Sequence, residues 1–157
     1  MIKSKFPKES RVEMTEVVLP QHTNSLGTIF GGVILSWTDI AAAISAQKHC
    51  QKMVVTASFD AMNFLAPIHL GWIVYIKGQV NYVASTSCEV GINITAENPL
   101  TRESHHTASA YITMVAIDSN GRPTAVPKLI PKTKDEKRRY EEAKLRRERR
   151  LEFRKKF

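Results

Sequence analysis

A single carboxylate stands in a long apolar stretch of this chain. Between Val33 and Gln47 the only ionisable side chain is Asp39. A carboxylate taken out of water costs free energy unless it is paired or put to use, and the uses open to it are those of a general base or a nucleophile. Just ahead of it lie Gly31 and Gly32. Two glycines opening a helix allow close backbone approach and leave N–H groups free for a ligand. Such a site binds phosphate or polarises a carbonyl as an oxyanion hole; the same glycines also suit a tight turn. Asn24 precedes them in the loop His22-Thr23-Asn24-Ser25-Leu26-Gly27. Its side chain can orient a water or a carbonyl oxygen, and it is equally a turn residue.

These residues need elements to hold them. Arg11 to Leu19 has the composition of a first strand and ends at Pro20. Gln21 to Gly32 is a loop. Val33 to about His49 is predicted as one helix, with Val33, Trp37, Ile40 and Ile44 as its apolar stripe. Asp39 falls roughly 140° from the centre of that stripe, beside Leu35, Ala42, Ala43 and Ala46, so both faces of the helix are expected to be covered. The period then changes from helical to two. Strands are predicted over Met53–Phe64 and Trp72–Val83, the latter with Trp72, Val74, Ile76, Val80 and Tyr82 on one side. Two more carry Cys88, Val90, Ile92, Ile94 and Ala96, and then Ala108, Ala110, Ile112, Met114 and Ala116. Turn signals separate them. After Pro131 a charged helix is expected from about Thr133, its N-cap, with Asp135 and Glu136 in the first turn. The order is strand, long helix, four antiparallel strands in succession and a polar helix. The fold class is α+β, a sheet of about five strands wrapped on one helix. Its free edges predict at least a dimer.

Charge and composition exclude several functions. The 157 residues hold 23 Lys and Arg against 15 Asp and Glu, a net charge of +8. Residues 132–157 account for 13 of the basic and 6 of the acidic side chains, so the body is nearly neutral. A basic tail without interleaved aromatics or a known motif is no nucleic-acid signature. Residues 1–131 are expected to form one domain, and 132–157 a basic helical extension whose field draws in an anion or which packs on a neighbour. Cys50 and Cys88 form no Cys-x-x-Cys pair, and Cys88 reads as a buried thiol of a reducing compartment. No apolar run is long enough for a membrane span and no secretory signal is legible, so the expected location is the cytoplasm. No two of the five histidines have the spacing of a zinc helix, and His105 and His106 point to opposite faces of a strand; no metal is expected. A Gly-x-Ser-x-Gly elbow is missing.

With these residues in view, a family comes into focus. Asn24-Ser25-Leu26-Gly27-Thr28-Ile29-Phe30-Gly31-Gly32 followed by Trp37-Thr38-Asp39-Ile40-Ala41 closely resembles the hotdog-fold acyl-CoA thioesterases. More narrowly, it is similar to the cytosolic long-chain acyl-CoA hydrolase branch and its small bacterial relatives. The likeness runs on through Val55–Asp60, Phe64–Ile68 and Ala110–Asp118, covering about residues 10–131. It implies a hotdog fold, dimers with a continuous sheet often assembled as trimers of dimers, and hydrolysis of acyl-CoA to fatty acid and CoA. No cofactor is implied, CoA being part of the substrate. By motif, Asp39 is the base or nucleophile, Asn24 positions water or substrate, and the Gly32 amide is the oxyanion donor. Gly31, Thr56 and Ser58 are expected to line the substrate site.

Gly32 and Asp39 are seven residues apart, roughly 10 Å along one helix, too far to grip one reacting carbon. A site shared between two protomers follows, Asp39 from one and Asn24 with Gly32 from the other. CoA is a polyanion and needs basic contacts, for which Lys48, Lys52, Lys77, Arg102 and Lys128 are the candidates of the body. Two other readings compete. A dehydratase or hydratase of acyl thioesters wants a histidine near the helix, and none falls inside it before His49. A non-catalytic acyl-CoA-binding module leaves Asp39 without a task.

Overall fold

The computed structural model describes residues 2–157. Strand β1 spans Val12–Val17, helix α1 Gly31–Cys50, β2 Met53–Phe59, β3 Ile73–Val83, β4 Ser87–Glu97, β5 Ser104–Ile117 and helix α2 Lys134–Arg154. The five strands form one antiparallel sheet in the order β1-β3-β4-β5-β2. This is the wrapped-helix architecture that the periodicity predicts, with one change of path. The strand after α1 does not pair with its successor. Residues 60–72 carry the chain across the sheet, so β2 lies at one edge against β5 and β1 at the other against β3.

The sheet curls around α1. Val74, Ile76 and Val80 of β3, Val90, Ile92 and Ile94 of β4, and Ala110, Ile112 and Met114 of β5 are buried on its inner face. Each large side chain so covered stabilises the fold by about 1.5–3 kcal/mol. The helix face they receive differs from the predicted stripe. Ile34, Trp37, Thr38, Ala41, Ala42, Ser45 and Ala46 point inward, whereas Ile40 and Ile44 are exposed. A curled sheet brings its backbone close to the helix, so the seam is filled mostly by small residues, with Ile34 and Trp37 the two large side chains it admits.

Three bulges interrupt the ladders, one of them at Thr107 of β5, and the other two re-aim side chains. Val80 faces Val90 but Tyr82 faces Glu89, so Asn81 is the extra residue of β3. The slip turns Tyr82 off the predicted apolar side and onto the outer face, where its ring packs 4.9 Å from Tyr140 of α2. On β2, Thr56 lies opposite Met114 and Ser58 opposite Thr113, which makes Ala57 the extra residue.

Helix α2 begins as predicted. Thr133 Oγ1 accepts from the Glu136 amide at 3.1 Å, and Glu136 Oε2 accepts from the amides of Thr133 and Lys132, a complete capping box. Those amides, winning over the cost of burial, hold the Glu136 carboxyl below its ordinary range. The helix does not stand free in solvent. It lies across the outer face of the sheet, with Ala143 fully buried. Arg146 forms a two-point ion pair with Glu89, at 2.8 and 3.1 Å, and stacks 3.6 Å above the Tyr111 ring. Arg150 reaches Asp60 at 3.2 Å. Glu142, which the spacing could also pair with Arg146, binds Arg138 instead.

Candidate active site

The loop before α1 is built on Asn24. Its Oδ1 accepts from the Leu26 amide at 2.9 Å and the Thr28 amide at 3.3 Å, and its Nδ2 donates to Thr28 Oγ1 at 3.0 Å. Gly27 takes the left-handed conformation, φ +74°, that closes this turn. Ile29 N–H then bonds the Ile68 carbonyl at 2.7 Å and Phe30 N–H the His22 carbonyl at 2.8 Å, fixing where the helix starts. Asn24 is therefore the keystone of the turn that presents the helix N-terminus.

At that terminus Phe30 supplies no side-chain cap. Val33 N–H turns back to the Phe30 carbonyl, and no acceptor within the described residues meets the N–H of Gly31 or Gly32. These are the first-turn amides that a helix leaves unpaired, at the positive end of its dipole. A methyl group on Gly32 would press on the Phe30 ring at 2.8 Å, so the glycine keeps this surface open. Gly31 lines a cleft of about 330 Å³ with Thr28, Phe64, Leu65 and Pro67. Phe64 and Leu65 lie in a stretch without regular structure. The strand predicted over Met53–Phe64 ends at Phe59, where the pairing with β5 stops, and this frees Phe64 to line the cleft.

Asp39 lies two turns further along α1, half-buried, and its Oδ1 accepts a 2.6 Å hydrogen bond from Thr56 Oγ1. The edge strand thus holds the carboxylate of the helix. The bulge at Ala57 explains why Thr56 and not Ser58 does so. Thr56 shares the inner face with Met114, while Ser58 shares the outer face with Thr113. Ser58 does not reach Asp39; its buried hydroxyl finds no partner. A period of two put both residues on one face, and one inserted residue separates them.

Asp39 is framed by uncovered apolar surface. Leu35, Ile40 and Ile44 on α1 are 40%, 47% and 38% exposed; on the edge strand β2, Phe59 is exposed on the face turned to the helix and Met53 and Val55 on the opposite face. Exposed apolar side chains on a helix and along an unpaired sheet edge are the signature of an interface. The chain by itself leaves Asp39 two helical turns from the free amides of Gly31 and Gly32.

The proposed CoA contacts divide. Lys48 and Lys52 bond backbone carbonyls of Arg11 and Ala125, which ties the end of α1 to its surroundings. Lys77 pairs with Glu13 at 3.6 Å and Arg102 with Glu97 at 3.2 Å. Lys128 is exposed. No group of three metal-ligating side chains occurs among the described residues, nor any helix long and apolar enough to cross a membrane.

Comparison with known proteins gives concordant matches. Residues 26–103 match the family described as the Thioesterase superfamily. A Bacillus subtilis protein described as an uncharacterized acyl-CoA thioester hydrolase is 41% identical over 133 residues, covering 85% of this chain and 77% of that protein. A hexameric acyl-CoA thioesterase superposes with a TM-score of 0.92 at 42% identity over 96% of this chain and 97% of the other. An acyl-CoA hydrolase from Staphylococcus aureus, solved with butyryl-CoA and CoA, gives 0.90 at 37% identity over 98% and 93%. That hydrolase has also been solved as alanine variants of an asparagine, of an aspartate fifteen positions later and of a threonine seventeen positions after that.

Proposed function

The chain belongs to the acyl-CoA thioester hydrolases of the thioesterase superfamily, and from that membership we propose that it cleaves fatty acyl-CoA to fatty acid and CoA with Asp39 as general base or nucleophile, in a site shared between two protomers. The observation that carries the assignment is the 2.6 Å hydrogen bond from Thr56 to Asp39 on an otherwise apolar, uncovered helix face. It fixes one carboxylate oxygen and leaves the other for water or for the acyl carbon. The spacing supports it too: Asn24, Asp39 and Thr56 follow one another at the same two intervals as the residues replaced in the staphylococcal variants.

The thioester carbonyl points at the Gly32 amide and the positive end of α1, which stabilise the oxyanion as it forms. Asp39 of the partner chain removes a proton from a water held near Asn24, or attacks the carbonyl itself. With water as the attacking group, the tetrahedral intermediate collapses to fatty acid and CoA thiolate; with Asp39, it collapses to CoA thiolate and an acyl–Asp39 anhydride, which water then cleaves to fatty acid and the free carboxylate. The thiolate is protonated by solvent. Gly31 and the apolar cleft with Phe64 accept the substrate beside the reacting carbonyl. Residues 1–131 supply this machinery and 132–157 the basic extension. No cofactor takes part, since CoA enters within the substrate and leaves as product. A hexamer built as a trimer of dimers is the expected assembly, as in the hexameric relative.

The test is thiol release from a panel of acyl-CoA chain lengths. Asp39→Asn is expected to lower kcat by about 10²–10⁴-fold with the fold intact. Mixed dimers of Asp39→Asn with Gly32→Pro chains are expected to recover part of the activity, because one of the two sites then has both intact halves. Near wild-type turnover by Asp39→Asn rejects the assignment. Absence of thiol release by the wild-type chain supports the non-catalytic binding module instead.

A further inference from the structure

On the face of the sheet opposite α1, a groove of about 580 Å³ runs between α2 and the strands β1, β3, β4 and β5. Its floor is polar: Gln79, Asn81, Asn93 and Ser109 project from the outer face. Asn81 in this floor is only 3% exposed, and its Oδ1 meets no donor. A buried amide without partners costs about 1–3 kcal/mol, and two local features conspire to keep it there. Asn81 is the extra residue of the β3 bulge, and Gly91 on the facing strand makes the room, since a Cβ at Gly91 would collide with Asn81 Nδ2. Bulges re-aim side chains in this way beside functional sites.

The charged residues around the groove are not equivalent. Glu13 is taken up by Lys77, Glu142 by Arg138 and Glu89 by Arg146. Arg11 spends its Nε on Gln79 Oε1 at 3.1 Å, and Arg139 spends its Nε on Asp135 at 2.8 Å. The terminal guanidinium nitrogens of these two arginines have no acceptor among the described residues. Both line the groove, one ahead of β1 and the other on α2, with donors free for an oxyanion. Asn81 Oδ1 asks for the opposite, a hydrogen-bond donor.

We infer that this groove binds a small oxyanion that also carries hydroxyl groups, the anion held between Arg11 and Arg139 and a hydroxyl donating to Asn81. Phosphate monoesters of sugars and sugar carboxylates share this chemistry. A volume of about 580 Å³ holds either. The site lies across the sheet from Asp39 and is independent of the thioester reaction.

Titration calorimetry on the full chain saturated with CoA tests the inference, with ribose 5-phosphate, gluconate, ribose and inorganic phosphate as probes. At least one of the two hydroxylated anions is expected to bind with a sub-millimolar Kd, about tenfold or more tighter than ribose or phosphate alone; which of the two binds identifies the anion. Asn81→Leu and Arg139→Gln are each expected to weaken that binding about tenfold while leaving thiol release unchanged. The Arg139 side chain is 43% exposed, so its variant tests the site even where Asn81→Leu fails to fold. The inference is overturned by the absence of heat at millimolar probe, by unchanged binding in Arg139→Gln, or by displacement of the probe with excess CoA.

Discussion

At Asp39 the sequence supplied a residue and the structure supplied its partner. Asp39 was legible because a lone carboxylate among alanines and isoleucines breaks an apolar pattern. Thr56 was legible only through the family likeness, since a threonine on a strand is ordinary. If Thr56 orients the carboxylate, Thr56→Val is expected to lower kcat by roughly tenfold to a hundredfold, the worth of a hydrogen bond to a charged group. Thr56→Ser, which keeps the hydroxyl, is expected to restore most of it; equal losses in both variants would make the contact a matter of packing. His49 gives a different kind of test. It is fully buried, its Nε2 donates to the Pro127 carbonyl at 2.8 Å, and its Nδ1 has no partner. Burial outweighs that hydrogen bond and holds its pKa below the ordinary histidine value. The unfolded chain therefore binds the proton more readily than the folded one. Stability is at its full value above about pH 6.5 and declines as pH falls below it. Urea midpoints between pH 7 and 5 are expected to drop for the wild type and to flatten for His49→Gln.

At the scale of elements, what hydrophobic periodicity revealed was which segments are strands and which are helices. What it hid was how they meet. Helix α1 carries apolar residues all round, so an apolar stripe does not say which side faces the sheet; the closeness of the sheet decides, and it selects the alanine side. The bulges at Asn81 and Ala57 are invisible for another reason. One inserted residue changes a register without changing composition, yet it separates Ser58 from Thr56 and turns Tyr82 toward α2. Helix α2 was read as a charged helix, and its composition did not show that Arg146 would leave its own helix to pair with Glu89. That pair is almost removed from water, the Glu89 side chain being 3% exposed. Arg146→Leu strands a buried carboxylate and is expected to destabilise the fold by about 3 kcal/mol, read as a lower denaturant midpoint. A change within experimental error would place α2 among weakly attached elements.

For the whole molecule, the apolar face of α1 and the exposed residues of β2 ask to be covered. Ile40→Glu combined with Ile44→Glu places charge in the middle of that surface. Sedimentation is expected to shift the assembly to smaller species, with thiol release falling in parallel because each site loses its second half. Full activity in a stable monomer would refute the shared site. The charge distribution also changes meaning at this scale. Residues 132–157 carry nearly all of the net +8, and the structure lays that helix across the outer face of the sheet, so the tail is a wall of the protein as well as a field.

The strand order has a consequence for how such a molecule is made. The edge strand β2 emerges from synthesis early, but its partner is β5, with Met53 opposite Ile117. Sixty-four residues must follow Met53 before that pairing can close, and contacts so far apart in sequence form slowly. Until then Met53, Val55 and Phe59 belong to an unseated strand with its backbone groups open on both sides. A nascent chain therefore carries an open, adhesive strand for as long as those residues are being added. The topology leaves this strand most exposed to a wrong neighbour during synthesis, and only the arrival of β5 reduces its two open edges to the single one of the finished sheet.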